Sequence, residues 1–229
     1  MIQLDTAISL AGLYSGNVAQ RYGIRTAMAK QAVSGKLYLS ATGLDGDECA
    51  EPKFHGGTER ALHQYPLEHY AFWQQQFPDR DWPAPGVGEN ISTQGMTEEN
   101  VRLGDRYQWG EAVIEISQPR SPCFKLSRRW ELPEFSEVMQ QTGRCGWLYR
   151  VITPGYVSSD EPLVLIKQGE DRFTVKRVLD WYFNDPMNLD KLRMLLECEA
   201  LSVSWRNTVE KRLNTGELEN WHFRLNGAG

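Results

Sequence analysis

Three short clusters in this 229-residue chain combine groups that could do chemistry. The sharpest is the run Pro119, Arg120, Ser121, Pro122, Cys123, Phe124, Lys125. The alternation of Ala112, Ile114 and Ile116 predicts a strand over 112–118 that runs into this loop. A helix is expected to start at Phe124. A cysteine at a helix start meets the positive end of the backbone dipole. Arg120 and Lys125 flank it and Arg128 follows, so thiolate is favoured over thiol. A thiolate suits a soft metal or a nucleophilic step. Pro119 and Pro122 stiffen the loop that presents the sulfur. Cysteine is also a common small core residue, and residue chemistry alone leaves both roles open at Cys123.

The second cluster is Lys53, Phe54, His55, Gly56, Gly57, Thr58, Glu59, Arg60. Adjacent glycines let backbone N–H groups approach an anion closely. Lys53 and Arg60 add charge, and an arginine can grip a phosphate with two donors. His55 could donate to an oxyanion or to a ligand. The spacing is not that of a P-loop. Taken alone, it fits a glycine turn with solvated charges better than an anion site. The third cluster is Gly86, Val87, Gly88, Glu89, Asn90. Asn90 carries a donor and an acceptor, enough to read a heterocycle edge, and serves an Asx turn equally well.

Other candidates carry less. His63 and His69 fit no common zinc spacing and are read as helix-face residues; His222 is read as a surface residue. Asp45, Asp47 and Asp105 sit beside glycines and are read as turn residues. Cys49, Cys123, Cys145 and Cys198 form no CxxC pair, which argues against a zinc ribbon, a thioredoxin-type pair or c-type haem. No GxSxG, GxGxxG or iron–sulfur cysteine set is present. A net charge of −5 disfavours non-specific nucleic-acid binding. No run of eighteen apolar residues suggests a membrane span, and residues 1–5 lack signal-peptide features. A cytoplasmic protein that binds neither membrane nor nucleic acid is expected. The eight tryptophans imply a well-filled core or aromatic walls around a planar ligand.

The elements that must position these groups are mostly strands. They are expected over 7–12, 36–39, 112–118, 147–153 and 162–167. The glycine-rich stretch 43–57 reads as loop. A helix is expected from Pro66, as its first residue, to about Phe77. Residues 124–141 read as helical with an interruption at Pro133. Beyond Gln168 the period changes. Val175, Val178, Leu179 and Tyr182, then Leu189, Leu192 and Leu196, then Trp205, Val209 and Leu213 mark three short amphipathic helices, with Gly216 as a stop.

The three clusters, in this order, resemble the MOSC family, named for the C-terminal domain of molybdenum-cofactor sulfurase. The carrying residues are Lys53, His55, Gly56 and Gly57; Gly88, Glu89 and Asn90; and Gln118 through Lys125, with Cys123 central. Gly43 through Asp47 and Leu103 through Asp105 also match. The tail resembles the three-helix extension of the bacterial YiiM-like subgroup. The resemblance implies a mainly β, barrel-like domain with flanking helices over residues 1–168 and a three-helix domain over 169–229. It implies a molybdenum cofactor of the molybdopterin type, with Cys123 as metal ligand. Lys53, Gly57, Arg60, Arg120, Ser121 and Lys125 become candidates for holding the cofactor. His55, Gly56 and Asn90 would line the site, with His55 and Asn90 as catalytic candidates.

The activity so implied is two-electron reduction of N-hydroxylated compounds, such as 6-hydroxylaminopurine, to amine and water. Electrons would come from a separate flavin or iron–sulfur protein. Two other functions fit the same cysteine. One is a sulfur carrier with a Cys123 persulfide, loaded by a partner desulfurase that uses pyridoxal phosphate. The other is a cofactor storage protein. The tail is read as cover for the sheet or as a docking surface.

Overall fold

The computed structural model describes residues 7–227. Residues 1–5, read above for targeting, lie outside the described residues. The chain opens with β1 (Ala7–Ile8) and β2 (Leu10–Ser15), separated by Ser9. A hairpin of β3 (Ala19–Arg21) and β4 (Ile24–Thr26) follows. Next come β5 (Gln31–Ala32), β6 (Leu37–Ser40) and β7 (Gly43–Leu44). A one-turn helix, α1 (Pro52–His55), precedes β8 (Leu62–Pro66) and helix α2 (Glu68–Gln76). Then come β9 (Ile91–Thr93), β10 (Arg106–Trp109) and β11 (Ala112–Pro119). Helices α3 (Phe124–Trp130) and α4 (Phe135–Thr142) lead to β12 (Trp147–Thr153), β13 (Gly155–Val157) and β14 (Leu163–Lys167). The tail holds α5 (Val175–Leu179), which continues into a π turn, then α6 (Leu189–Glu197), α7 (Val203–Thr215) and α8 (His222–Asn226).

Nine strands form the main sheet in the order β1-β14-β10-β11-β12-β8-β9-β2-β5. Its ladders are antiparallel except for β8 with β9. One end of this sheet, β1, is joined through Ser9 alone to β2 near the other end. The sheet therefore curls toward a barrel. The ladder breaks at Ser9, where the chain changes neighbours from β14 to β9. The mainly β, barrel-like domain with flanking helices is borne out, as a curled sheet that is not one closed ladder.

Two expectations fail for a shared reason. Pro66 ends a strand and does not open a helix; α2 begins at Glu68. The strand before it, Leu62 to Pro66, is buried at every position and shows no polar–apolar alternation. Its polar residues are satisfied internally. Gln64 donates to Thr93 Oγ1 at 2.7 Å and accepts from Tyr149 OH at 2.6 Å. His63 Nε2 lies 3.3 Å from the Cys145 carbonyl, so His63 is a buried strand residue and not a helix-face one. His69 does lie on α2, buried, with Nε2 2.7 Å from Glu98. A buried polar group is tolerated when it is hydrogen-bonded. The stretch 43–57 is also not all loop, since β7 and α1 lie within it. Asp105 is more than a turn residue: it is almost fully buried and accepts from Gly169 N and Arg102 N at 2.7 and 2.9 Å.

The tryptophans are chiefly core. Trp73, Trp109 and Trp147 are wholly buried. Trp73 meets Phe135 edge-on at 5.0 Å, which seats α4 against α2. In the tail, Trp205 stacks on Tyr182 at 3.8 Å. The tail is tied to the sheet by polar contacts. Ser202 N donates to the Ser117 carbonyl at 3.0 Å, and Arg150 donates to the Ala200 carbonyl and to Glu59, each at 2.9 Å.

Gly146 is the tightest joint beside the site. It has φ +68°, and a Cβ there would sit 2.2 Å from the Gln64 carbonyl oxygen. Gly146→Ala is expected to lower unfolding free energy by about 2–4 kcal/mol, from backbone strain and overpacking together. A urea midpoint unchanged from wild type would refute that account.

Candidate cofactor site at Cys123

Strand β11 delivers the chain to Pro119, and the loop after it ends at Cys123, the residue capping α3. The loop is pinned on both sides. Arg120 N donates to the Gly146 carbonyl at 3.1 Å, and the Cys123 carbonyl accepts from Ser136 Oγ at 2.6 Å. Cys123 is buried, 6% exposed. Burial by itself pushes the thiol up. The hydrogen bond and charge of His55, the charge of Arg120 and the Lys125 N–H outweigh it and hold Cys123 down at about 7. The thiolate is therefore well populated at neutral pH. The other buried cysteines differ. Burial pushes Cys145 well above its ordinary value and Cys198 up to about 11.

His55 comes from the end of α1, the first turn of the lysine–histidine–glycine segment. The structure thus brings this segment to Cys123. Gly56 follows in extended conformation; a Cβ there would press Pro52 Cα and its carbonyl oxygen, both at 3.2 Å. Gly57 has φ +103° and open space where a Cβ would point. A ligand can approach that backbone closely.

The remaining candidates divide by what already holds them. Lys125 Nζ lies 3.0 Å from both Glu51 Oε2 and the Arg25 carbonyl, so its charge steadies α1 and β4. Arg60 donates to the Phe54 carbonyl and, at 2.7 Å, to Ser204 Oγ on α7. Lys53 is exposed on α1, its amine 5.9 Å above the Phe54 ring. Ser121 is half-buried between Arg120 and Pro122. The Asn90 amide is spent within the protein. Its Oδ1 accepts from His63 N at 3.1 Å, and its Nδ2 donates to the Tyr14 carbonyl at 3.2 Å and to Asp47 Oδ2 at 2.8 Å. Asp47 also accepts from Gly16 N and pairs with the buried Lys30, so it is a network centre where a turn residue was expected. Neighbouring Glu89 is fully buried and takes the Tyr70 hydroxyl and Val87 N. The Gly–Glu–Asn segment is therefore spent on tying β2, β8 and the Asp47 turn together.

Arg224 carries no motif in the sequence. It sits on α8, yet it donates to the Pro122 carbonyl at 2.5 Å, across 102 residues of chain, and to Gln140 Oε1 at 2.6 Å. A cleft of about 640 Å³, lined by Ser15, Gly16, Asn17, Arg21, Tyr22 and Gln31 among others, opens beside the β3–β4 hairpin and does not include Cys123. The hairpin reaches α3 through Arg129, whose guanidinium lies 5.6 Å above the Tyr22 ring.

A MOSC-domain profile matches residues 51–164, and a YiiM-like three-helix domain profile matches residues 173–216. The chain is 45% identical to Protein YiiM of Escherichia coli K12 over 94% of its own length and 97% of the relative's. The chain belongs to the MOSC family, in its YiiM-like branch. The crystal structure of Escherichia coli YiiM superposes with a TM-score of 0.84 at 39% identity, covering 96% of this chain and 98% of that one. A Gibberella moniliformis protein named "Reductase" is 39% identical over 68% of this chain, which spans 28% of that longer protein. The MOSC match contains Cys123, His55 and the Gly–Glu–Asn segment, and Arg224 lies beyond both matched segments.

The MOSC site fits a cofactor that brings its own metal ligands. Among the described residues, no group of three or more His, Cys, Asp or Glu could hold a metal unaided. A single soft thiolate, a nearby guanidinium and an open glycine backbone are present instead.

One consequence is a labelling pattern. Iodoacetamide is expected to modify Cys123 in preference to Cys145 and Cys198, at a rate that rises as pH passes about 7. His55→Ala removes the main opposing influence on the buried thiol and should move that midpoint upward. A midpoint unmoved in the variant contradicts the role given to His55. No helix among the described residues is long and apolar enough to cross a membrane.

Proposed function

We propose that this protein is a molybdenum-cofactor-dependent reductase of N-hydroxylated compounds, converting N–OH groups such as that of 6-hydroxylaminopurine to amine and water. The observation that carries the reading is the placement of Cys123 at the start of α3, within the MOSC match, with His55 of the lysine–histidine–glycine segment and Arg120 close enough to favour its thiolate. The relative named "Reductase" supports the reaction class. When bound, the molybdenum cofactor supplies the two-electron chemistry; the protein supplies binding and orientation.

Cys123 is the residue that would hold the metal. His55 lies close enough to its sulfur to favour the ionised form. Arg120 offers charge for the cofactor's anionic end, and the Gly57 backbone leaves room for a flat ring to approach. Lys125, Glu51 and Arg25 fix α1 relative to α3, which keeps His55 against Cys123. Asn90 and Asp47 act at one remove, by locking β8 and the Gly16 turn. Electrons would be delivered by a separate flavin or iron–sulfur protein.

The test is to purify the protein from molybdate-replete cells, assay metal and pterin, and supply 6-hydroxylaminopurine with a chemical electron donor. Metal-loaded protein without turnover ends the reductase reading. A persulfide mass shift on Cys123 would point to the sulfur carrier, and release of intact cofactor to an acceptor enzyme to storage.

A further inference from the structure

The cations around Cys123 differ in what they hold. Lys125 is neutralised by Glu51, and Arg60 is committed to Phe54 and Ser204. Arg120 and Arg224 are different. Among the described residues, neither has a carboxylate within ion-pair distance. Arg120 Nη1 has only a weak acceptor, Met139 Sδ at 3.4 Å. Arg224 uses two donors, on Pro122 and Gln140. Both side chains are half-buried.

The two converge. Met139 and Gln140 are adjacent on α4, and Pro122 is two residues beyond Arg120. Both guanidiniums also lie within electrostatic reach of Cys123 and Cys145. Two like charges drawn together half out of water, neither with a carboxylate partner, are costly. An oxyanion between them offsets that cost. Each guanidinium has five donors and keeps several uncommitted, in the fork geometry that suits phosphate.

We propose that Arg120 and Arg224 form a two-arginine clamp beside Cys123 for a phosphate-class dianion, and that α8 is thereby part of the binding site. The clamp rests on the proposed function only in placing a ligand next to Cys123. The phosphate ester is one carried by the cofactor or by a phosphorylated substrate; recognition is the same for both.

Calorimetric titration of the full chain with inorganic phosphate is expected to show binding. Arg120→Gln and Arg224→Gln should each weaken it by about tenfold, the scale of a lost charge-assisted pair. Arg224→Lys, which keeps the charge, should recover part of the loss. If Arg224 only staples α8 to the loop, Arg224→Gln lowers the melting temperature and leaves phosphate affinity unchanged. That result, or no phosphate binding by the wild type, overturns the clamp.

The source of the phosphate separates as follows. Lower pterin content per chain in Arg224→Gln from molybdate-replete cells assigns the clamp to the cofactor. Unchanged content with a KM raised only for a phosphorylated hydroxylaminopurine assigns it to the substrate. Arginine-dependent phosphate binding in a protein that reduces no N–OH compound sinks the reductase reading and leaves the clamp standing.

Discussion

Cys123→Ala is expected to fold, to purify nearly free of molybdenum, and to lose about a thousandfold or more of any N–OH reduction. Folding survives because the side chain is small; loss of its sulfur costs about 1–2 kcal/mol of packing. Activity does not survive because no second thiol can take its place. Cys145 is fully buried, with its Sγ directed at the Met139 carbonyl at 3.3 Å, and burial keeps it protonated. Cys49 is half-buried on a different segment, its sulfur 3.6 Å from where a Gly56 Cβ would stand. Cys49→Ala is therefore the matched control and should keep nearly all metal and turnover. Metal analysis and single-turnover assays decide the matter. A Cys123→Ala protein that is fully loaded and fully active would remove the sulfur from the chemistry.

Arg212→Ala should produce the largest stability loss in the tail, about 3–5 kcal/mol. Arg212 is wholly buried on α7. It grips Glu219 with two donors, at 2.9 and 2.5 Å, donates to the Tyr182 carbonyl at 2.8 Å, and lies 4.0 Å above the Tyr182 ring. Truncation leaves that carbonyl without its side-chain donor and Glu219 with Trp221 Nε1 as its remaining side-chain donor. Arg212→Met keeps the packing and should cost less. Burial pushes Glu219 up, but the Arg212 hydrogen bonds win and hold its carboxyl below its ordinary value. A depressed carboxylate stabilises the fold above its unfolded pKa. The contribution is therefore present at neutral pH and is lost as pH falls below the ordinary value of 4.5. Residues 217–227 should also become protease-sensitive in Arg212→Ala, since Glu219 and Trp221 anchor them. Melting curves and limited proteolysis check both, and an unshifted melt refutes the first.

What was legible in the sequence follows from which interactions leave a periodic trace. The strand at Ala112 was plain because Ala112, Ile114 and Ile116 face one way and turn chemistry bounds it. The break at Pro133 was equally plain, and α3 and α4 fall on either side of it. In the tail, Gly216 stops α7 with φ +66° at the position expected. The strand from Leu62 was invisible because His63 and Gln64 are buried as hydrogen-bonded polar groups, which erases the alternation. Cys123 and His55 could be read as candidates from local chemistry, and the fold brings them into contact. The engagement of Lys125 by Glu51, and of Asn90 by Asp47, could not be read, since a charge does not announce its partner. Arg224 was wholly hidden: α8 spans five residues, too few for any period to show.

The split at Ser9 bears on how the molecule is made. Ala7 and Ile8 pair with Val164 and Leu163, so β1 finds that neighbour only after β14 has been synthesised. Leu10, Gly12 and Leu13 find β9 much sooner. Long sequence separation slows such pairing, because loop closure must precede any gain from contact. The nascent chain therefore waits with one sheet margin unsatisfied until β14 arrives to close on β1.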